Sequence, residues 1–226
     1  MGGPPATRVH TGFLHAYELK LLDFFAAVMP GWVTPDLLTV TGVMSGALIG
    51  LAYYYSTWDI NWVHMANFGL VLHWFADSLD GHLARYRNRS RPNYGLFVDE
   101  LADCIAVAFM CIGLGMSPVM PWTTALFIII GFYFAVIVHG FLMFFEKQHV
   151  VSAGGLSGTE GRLILMLANL IIIAQPVYTT IVVIHVATWI LITFVMLHSL
   201  WVALQLALRL KEKDENELKN RHNLEV

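Results

Sequence analysis

The chain has 226 residues, 57% of them hydrophobic and 13% charged, with a formal net charge of −3. A soluble domain carries about 25% charged residues, so this balance excludes an ordinary soluble domain and indicates an integral membrane protein. The near-neutral charge also argues against a nucleic-acid partner. Met1 to Gly12 lacks an apolar core, so no cleavable signal is expected there.

The first patterned segment is Phe13–Met29, which sets Leu14, Tyr17, Leu21, Phe24 and Val28 against His15, Glu18 and Asp23. Apolar residues at three- and four-residue spacing predict an amphipathic helix over 13–29 lying in the membrane interface, closed by Pro30-Gly31. Six apolar stretches follow, near Leu37–Tyr55, Val63–Ala84, Gly95–Gly115, Trp122–Phe145, Leu163–Val183 and His185–Leu208. Each is long enough to cross a hydrocarbon core of about 30 Å. Gln175-Pro176, inside the fifth, is either a kink or the true turn. The tail over 209–226, mixed in charge, is expected in the cytosol as a solvated helix or disordered. The expected fold is therefore all-α: one membrane domain over 1–226, with the interfacial helix and six transmembrane helices within 37–208. Cys104 and Cys111 lie one above the other on a predicted helix, about 10 Å apart in rise, too far for a disulfide. Both are expected to be free packing residues.

Every Lys and Arg falls in one of four places. These are the N-terminal segment (Arg8, Lys20), the loop with Arg85, Arg87, Arg89 and Arg91, the loop with Lys147 and Arg162, and the tail from Arg209 onward. The short loops around Asp59, Pro118 and Ile184 hold none. With six spans all the basic segments share one side, which the positive-inside rule makes cytosolic.

Beside the arginine-rich loop stand Asp77, Asp80, Asp99 and Asp103, at the ends of the second and third predicted spans. An aspartate in a membrane helix costs about 2.5–3.5 kcal/mol on insertion scales. Two carboxylates at 4 Å repel by about 4 kcal/mol at an effective dielectric near 20. On a helix Asp77 and Asp80 are about 60° apart, with Ala84 one turn beyond, while Gly95, Asp99 and Asp103 make a single stripe. Gly81, Ala84 and Gly95 either let helices approach closely or leave room for a flat ligand. Arg85 offers a forked donor suited to phosphate. Two Mg²⁺ or Mn²⁺ ions balance the charge of the four aspartates, and such hard cations prefer carboxylate oxygen with substrate phosphate. One aspartate at a helix end is an ordinary cap; four at these spacings beside an arginine point to phosphoryl-transfer chemistry. His73 either supports the cluster or simply packs, and His82 is expected to face headgroups. No His/Cys metal motif, Walker loop or G-x-G-x-x-G is present.

These residues form D-x-x-D-G-x-x-A-R, an interval, then G-x-x-x-D-x-x-x-D, which resembles the signature of the CDP-alcohol phosphotransferase family of membrane enzymes. Asp77, Asp80, Gly81, Ala84, Arg85, Gly95, Asp99 and Asp103 fill the defining positions without departure. The resemblance implies a CDP-alcohol donor, an alcohol acceptor, one of them a lipid, and release of CMP. It implies two divalent metals held by Asp77, Asp80, Asp99 and Asp103, and a CDP pocket lined by Gly81, Ala84, Arg85 and Gly95. It further implies Asp103 as catalytic base, and a homodimer. The site would face the cytosol, from a bacterial inner membrane or, in a eukaryote, the endoplasmic reticulum.

Two further elements bear on the branch of the family. Pro35-Asp36-Leu37-Leu38-Thr39 is similar to a P-N-x-x-T element whose asparagine is associated with the nucleotide, which makes Asp36 a candidate contact. An N-cap at Thr34 or Asp36, with Pro35 in the first turn, explains the same residues. Gly158-Thr159-Glu160-Gly161 is similar to the G-P-T-E-G element of choline and ethanolamine phosphotransferases, or is ordinary capping. In those relatives a histidine follows the third aspartate; here Glu100 does, a second candidate base. Against that branch, six spans and a short chain resemble compact enzymes using CDP-diacylglycerol and a soluble alcohol, and the balance falls there. Arg87, Arg89, Arg91, Lys147 and Arg162 suit a phosphorylated acceptor. The competing class is a cation-coupled transporter, which would set its acidic groups near the bilayer midplane.

Overall fold

The computed structural model describes residues 8–9, 15–146, 149–150, 158–175 and 178–224. Phe13, Leu14, Lys147, Ser157 and Pro176 lie outside them. The described chain is all-helical, apart from a two-residue parallel pairing of Arg8–Val9 with His149–Val150. The helices are α1 (His15–Val28), α2 (Pro35–Tyr55), α3 (Trp62–Tyr86), α4 (Pro92–Gly115), α5 (Trp122–Glu146), α6 (Gly158–Ala174) and α7 (Tyr178–Leu224).

Helix α2 is the central element, packed against both α3 and α4. Its start is fixed by Thr34, whose hydroxyl accepts from the Leu37 N–H at 3.1 Å, with Pro35 in the first turn. The N-cap explanation of the Pro35–Thr39 element therefore holds, with Thr34 as the cap. Along α2, Gly42, Gly46 and Gly50 recur every four residues, Gly46 and Gly50 toward α4 and Gly42 toward α3. A Cβ at Gly46 would come within 2.7 Å of the Ala106 Cα, and one at Gly50 would overlap the Phe109 carbonyl. Gly113 on α4 meets Gly50 backbone in the same way. On the α3 side a Cβ built at Gly42 would lie 3.9 Å from the Ala76 Cβ, an ordinary contact, and Ile49 fills the space beside Gly69. Small residues thus bring backbones together where no difference in apolarity between lipid and side chain would do so.

Gly81 and Gly95 do not play that part. Nothing lies within 4 Å of a Cβ built at Gly95, and at Gly81 it meets only the end of the Arg85 side chain. Among the described residues neither glycine meets a neighbouring helix, which leaves open space beside the backbone at both.

Two apolar clusters flank the middle of α2 and α3. One gathers Ile49, Tyr53, Val63, Leu70, Cys111 and Leu114; the other gathers Leu22, Ala26, Val33, Leu38, Leu79 and Leu83. The α3–α4 connection is a tight reversal. Asn88, in the left-handed region at φ 54°, lets the Arg89 N–H reach the Ala84 carbonyl at 2.9 Å and the Asn88 N–H reach Arg85 at 3.0 Å. Arg87 then donates to the carbonyls of Met29, Pro30 and Val33, tying this reversal to the α1–α2 linker.

The amphipathic helix forms as expected. Tyr17, Leu21, Phe24 and Val28 all face outward, Tyr17 with 75% exposure, while Leu22 and Ala26 are buried against the protein. Such an outward apolar stripe suits lipid. Two details correct the expectation. Glu18 faces inward, and His82, rather than meeting headgroups, has its Nε2 2.8 Å from the Asp23 carboxylate on α1.

Among the described residues three segments are long and apolar enough to cross a membrane by length and composition: Pro35–Tyr55, Trp122–Glu146 and Ile181–Asn220. That is fewer than the six expected spans, for a physical reason. Helix α3 is interrupted by His64, Asn67, His73 and Asp77, α4 carries Asp99, Glu100 and Asp103, and α6 has only 17 residues. Gln175 marks a break, not a kink: α6 stops at Ala174 and α7 starts at Tyr178, so the expected fifth span of Leu163–Val183 is two helices. The tail from 209 continues α7 as one helix to Leu224.

Replacing Gly50 with Val should force α2 from α4 and lower stability by about 1–3 kcal/mol. Gly95→Ala, with no neighbour to displace, should leave thermal unfolding in detergent unchanged or slightly raised. Equal melting behaviour of Gly50→Val and the unaltered protein would contradict the backbone contact.

Candidate functional site

Between the two apolar clusters α2, α3 and α4 line a small, partly open cleft. Its lining is Thr39, Gly42 and Val43 from α2, His73, Asp77 and Asp80 from α3, and Asp99, Ala102 and Asp103 from α4. All four aspartates singled out from the sequence therefore meet in one cavity. The spacing explains this: Asp77 and Asp80 share a face of α3, Asp99 and Asp103 a face of α4, and α2 holds the two helices on either side.

The carboxylates have protein partners. Thr39 donates its hydroxyl to Asp80 Oδ2 at 2.6 Å, and the Gly81 N–H also reaches the Asp80 carboxylate. Arg162 on α6 donates to Asp77 Oδ2 at 2.6 Å. With Asp77 and Asp80 engaged in this way, no three His, Cys, Asp or Glu side chains among the described residues stand in an arrangement that holds a metal. The expected four-aspartate cage has its members in one place, but one oxygen of Asp80 is directed to Thr39 and one of Asp77 to Arg162.

The remaining expected residues fall around the rim. Asp36 pairs with Arg91, which also lies 4.3 Å over the Tyr94 ring; both charged side chains are about half exposed. Gly95 and Arg85 are exposed, and Ala84 half-buried, at the same end of α3 and α4. Glu100 is exposed and is absent from the cleft lining, whereas Asp103 lines it. Of the arginines expected to grip a phosphorylated acceptor, Arg87 is committed to backbone carbonyls, Arg91 to Asp36 and Arg162 to Asp77.

Thr39 and Glu18 escaped the reading of the sequence as tertiary partners, while His73, read as either supporting the cluster or packing, proves to line the cleft. Thr39 closes the Pro35–Thr39 element, so its position was visible but its bond to Asp80 was not. His73 lines the cleft at 4% exposure, with no hydrogen-bond partner for Nδ1 among the described residues. Glu18 accepts from Trp74 Nε1 at 2.9 Å, Ser78 Oγ at 3.2 Å and Thr159 Oγ1 at 2.9 Å. It joins α1, α3 and the start of α6 on the protein side of the cleft. Thr159 thereby takes a tertiary partner within the Gly158–Gly161 element.

Glu18→Ala removes the acceptor of three donors at once. A loss of about 1–3 kcal/mol is expected from the unsatisfied groups, read as a lowered unfolding midpoint, with Glu18→Gln retaining part of it. A neutral Glu18→Ala would show that these bonds contribute nothing.

Residues 32–207 match the family model described as CDP-alcohol phosphatidyltransferase. The chain is similar to Choline/ethanolaminephosphotransferase 1 of Arabidopsis thaliana, 33% identical over 147 residues, which are 58% of this chain and 37% of that protein. It is similar also to Choline/ethanolaminephosphotransferase 2 of the same plant, 31% identical over 122 residues, 48% of this chain and 30% of that protein. The match thus spans between a quarter and two fifths of each relative's length. The matched region takes in α2, α3 and α4, the helices that line the cleft, and on this ground the chain belongs to the CDP-alcohol phosphatidyltransferase family.

Proposed function

We propose that the protein is a membrane phosphotransferase that moves a substituted phosphate from a CDP-alcohol to an acceptor hydroxyl and releases CMP. The observation that carries this is the meeting of Asp77, Asp80, Asp99 and Asp103 in one cleft. The names of the two relatives support transfer of a choline- or ethanolamine-bearing phosphate, and the family resemblance implies a lipid as the other substrate. That turns the balance away from CDP-diacylglycerol, the donor favoured from chain length alone.

The donor set fits hard divalent cations, since carboxylate oxygens from two helices and the Thr39 hydroxyl share the lining. Asp77, Asp80, Asp99 and Asp103 would hold Mg²⁺ or Mn²⁺, which when bound neutralises diphosphate charge and the charge growing on leaving CMP. In the reaction the acceptor oxygen forms a bond to the phosphorus bearing the alcohol, the bridging P–O bond to CMP breaks, and the hydroxyl proton is lost. Asp103 takes that proton, being a carboxylate of the lining, where Glu100 is not. Thr39 holds Asp80 in one orientation. The open backbone at Gly81 and Gly95, with Ala84, leaves space for the flat cytosine ring, and Arg85 stands at the same end for its phosphates. Asp36, held by Arg91, forms the outer edge.

The cleft lies toward the end of the helices that carries Arg87, Arg91 and Arg162, which supports a cytosolic opening under the positive-inside rule. A homodimer, implied by the family resemblance, belongs to the same reading. A transporter would need its carboxylates near mid-membrane; here Asp80 and Asp99 lie toward the ends of α3 and α4 that meet at the basic turn, with Asp77 and Asp103 deeper along the same faces.

Purified protein should release CMP from CDP-choline or CDP-ethanolamine with diacylglycerol in the presence of Mg²⁺ or Mn²⁺. Asp103→Asn should cut that release by about 10²–10⁴-fold, the range of general-base contributions, with folding retained. Near-normal turnover of Asp103→Asn removes it as the base. CMP from CDP-diacylglycerol and a soluble alcohol alone would return the other branch. No CMP from any combination, with folded protein, would leave the transporter reading ahead.

A further inference from the structure

We propose that Arg162 is a built-in counter-cation of the acidic cleft, displaced from Asp77 by a divalent ion and then free to grip the substrate's diphosphate. The inference rests on the reading of the cleft given above.

Asp77 and Arg162 are 85 positions apart, and their 2.6 Å contact is a product of α6 packing on α3. The Arg162 and Asp77 side chains are 18% and 22% exposed, largely withdrawn from water yet with a route to it. A cleft of four carboxylates strains against itself, by about 4 kcal/mol for each close pair at an effective dielectric near 20. One guanidinium relieves part of that repulsion. Taking it away without replacement would leave an uncompensated, partly buried charge. A divalent cation on Asp77 supplies the replacement, and by like charge it repels the guanidinium it succeeds.

The local backbone allows the departure. Among the described residues nothing lies within 4 Å of a Cβ built at Gly161, and one at Gly158 would meet the Arg162 guanidinium itself, 3.5 Å from Nη1. The side chain thus lies along a surface without Cβ atoms, on the first turn of α6. A diphosphate drawn to cations in the cleft presents new acceptor oxygens nearby, and the planar fork of arginine suits them better than an ammonium would. Arg87 and Arg91 are held by backbone carbonyls and by Asp36 respectively, so neither is bonded to a cleft aspartate.

The test measures Mn²⁺ binding to the full chain in detergent, by the electron paramagnetic resonance of free Mn²⁺, without nucleotide. CDP binding is then measured at saturating Mn²⁺. Arg162→Gln should tighten Mn²⁺ by about tenfold, because the ion no longer competes with a guanidinium, and should weaken CDP by about tenfold. Arg91→Gln, which removes a positive charge from the rim, should change Mn²⁺ affinity by less than about twofold at ordinary ionic strength. Arg162→Lys keeps the charge without the fork and should show both effects in smaller size, which serves if the glutamine variant does not fold. Unchanged Mn²⁺ affinity in Arg162→Gln, or equal tightening in Arg91→Gln, overturns the competition. Unchanged CDP affinity overturns the transfer to phosphate. If the unaltered protein binds no Mn²⁺, or Asp77→Asn binds it equally well, the reading of the cleft itself fails instead.

Discussion

The contact on which the rest depends is backbone against backbone: the glycine face of α2 pressed onto α4, with Gly46 under Ala106 and Gly50 against Phe109 and Gly113. Side chains there would push α4 outward and open the cleft. Lipid is as apolar as leucine, so apolarity alone does not drive helices together in a membrane; close packing and hydrogen bonds do. The same helix meets α3 through Gly42 and Ala76 on another face. Helix α2 therefore acts as a spacer of fixed width, and the distance between two aspartate pairs follows from it.

Holding carboxylates at that distance calls for compensation, and the protein distributes it among separate elements. Thr39 comes from α2, Arg162 from α6, and the Gly81 N–H from α3 itself. Each partner belongs to a different part of the chain, so the charge state of the cleft is coupled to how the helices sit. Glu18 extends that coupling outward. It binds α3 and the first turn of α6 on one side of α1, while the opposite side of α1 presents Tyr17, Leu21, Phe24 and Val28 outward. The element that suits the lipid surface and the element that carries Arg162 are thus joined through one carboxylate.

Polar contacts elsewhere follow the same economy. Tyr53 donates to Asn169 at 3.0 Å and Asn169 to Asn67 at 2.7 Å, joining α2, α6 and α3 at the far end from the cleft. Buried amides of this kind find partners because none is available from lipid. At the near end Arg209 on α7 meets Glu146 at the close of α5. Helices α5 and α7, which pack on each other, turn Phe127, Ile137, Phe141, Ile190 and Leu197 outward, a surface that fits hydrocarbon.

Much of this was legible beforehand, and the reason is periodicity. The spacing of Asp77 with Asp80, and of Gly95, Asp99 and Asp103, depends only on 3.6 residues per turn, so each set could be put on one face without knowing the neighbours. The outward stripe of α1, the helical segments and the likeness to a family came from the same local regularities. What periodicity could not give was which face met which. The glycines of α2 were visible as a four-residue repeat but could have faced any helix, and Gly81 and Gly95 were as good candidates for close approach. The number of spans also divided the two levels: among the polar residues that lower the apolarity of α3 and α4, His73, Asp77, Asp99 and Asp103 line the cleft and Asn67 meets Asn169. The sequence by itself determined the acidic faces, the basic turn beside them and the helices that bear both. Only the tertiary structure decided that Thr39 and Arg162 take the aspartate oxygens, because those partners lie 41 and 85 positions away and their approach is set by packing.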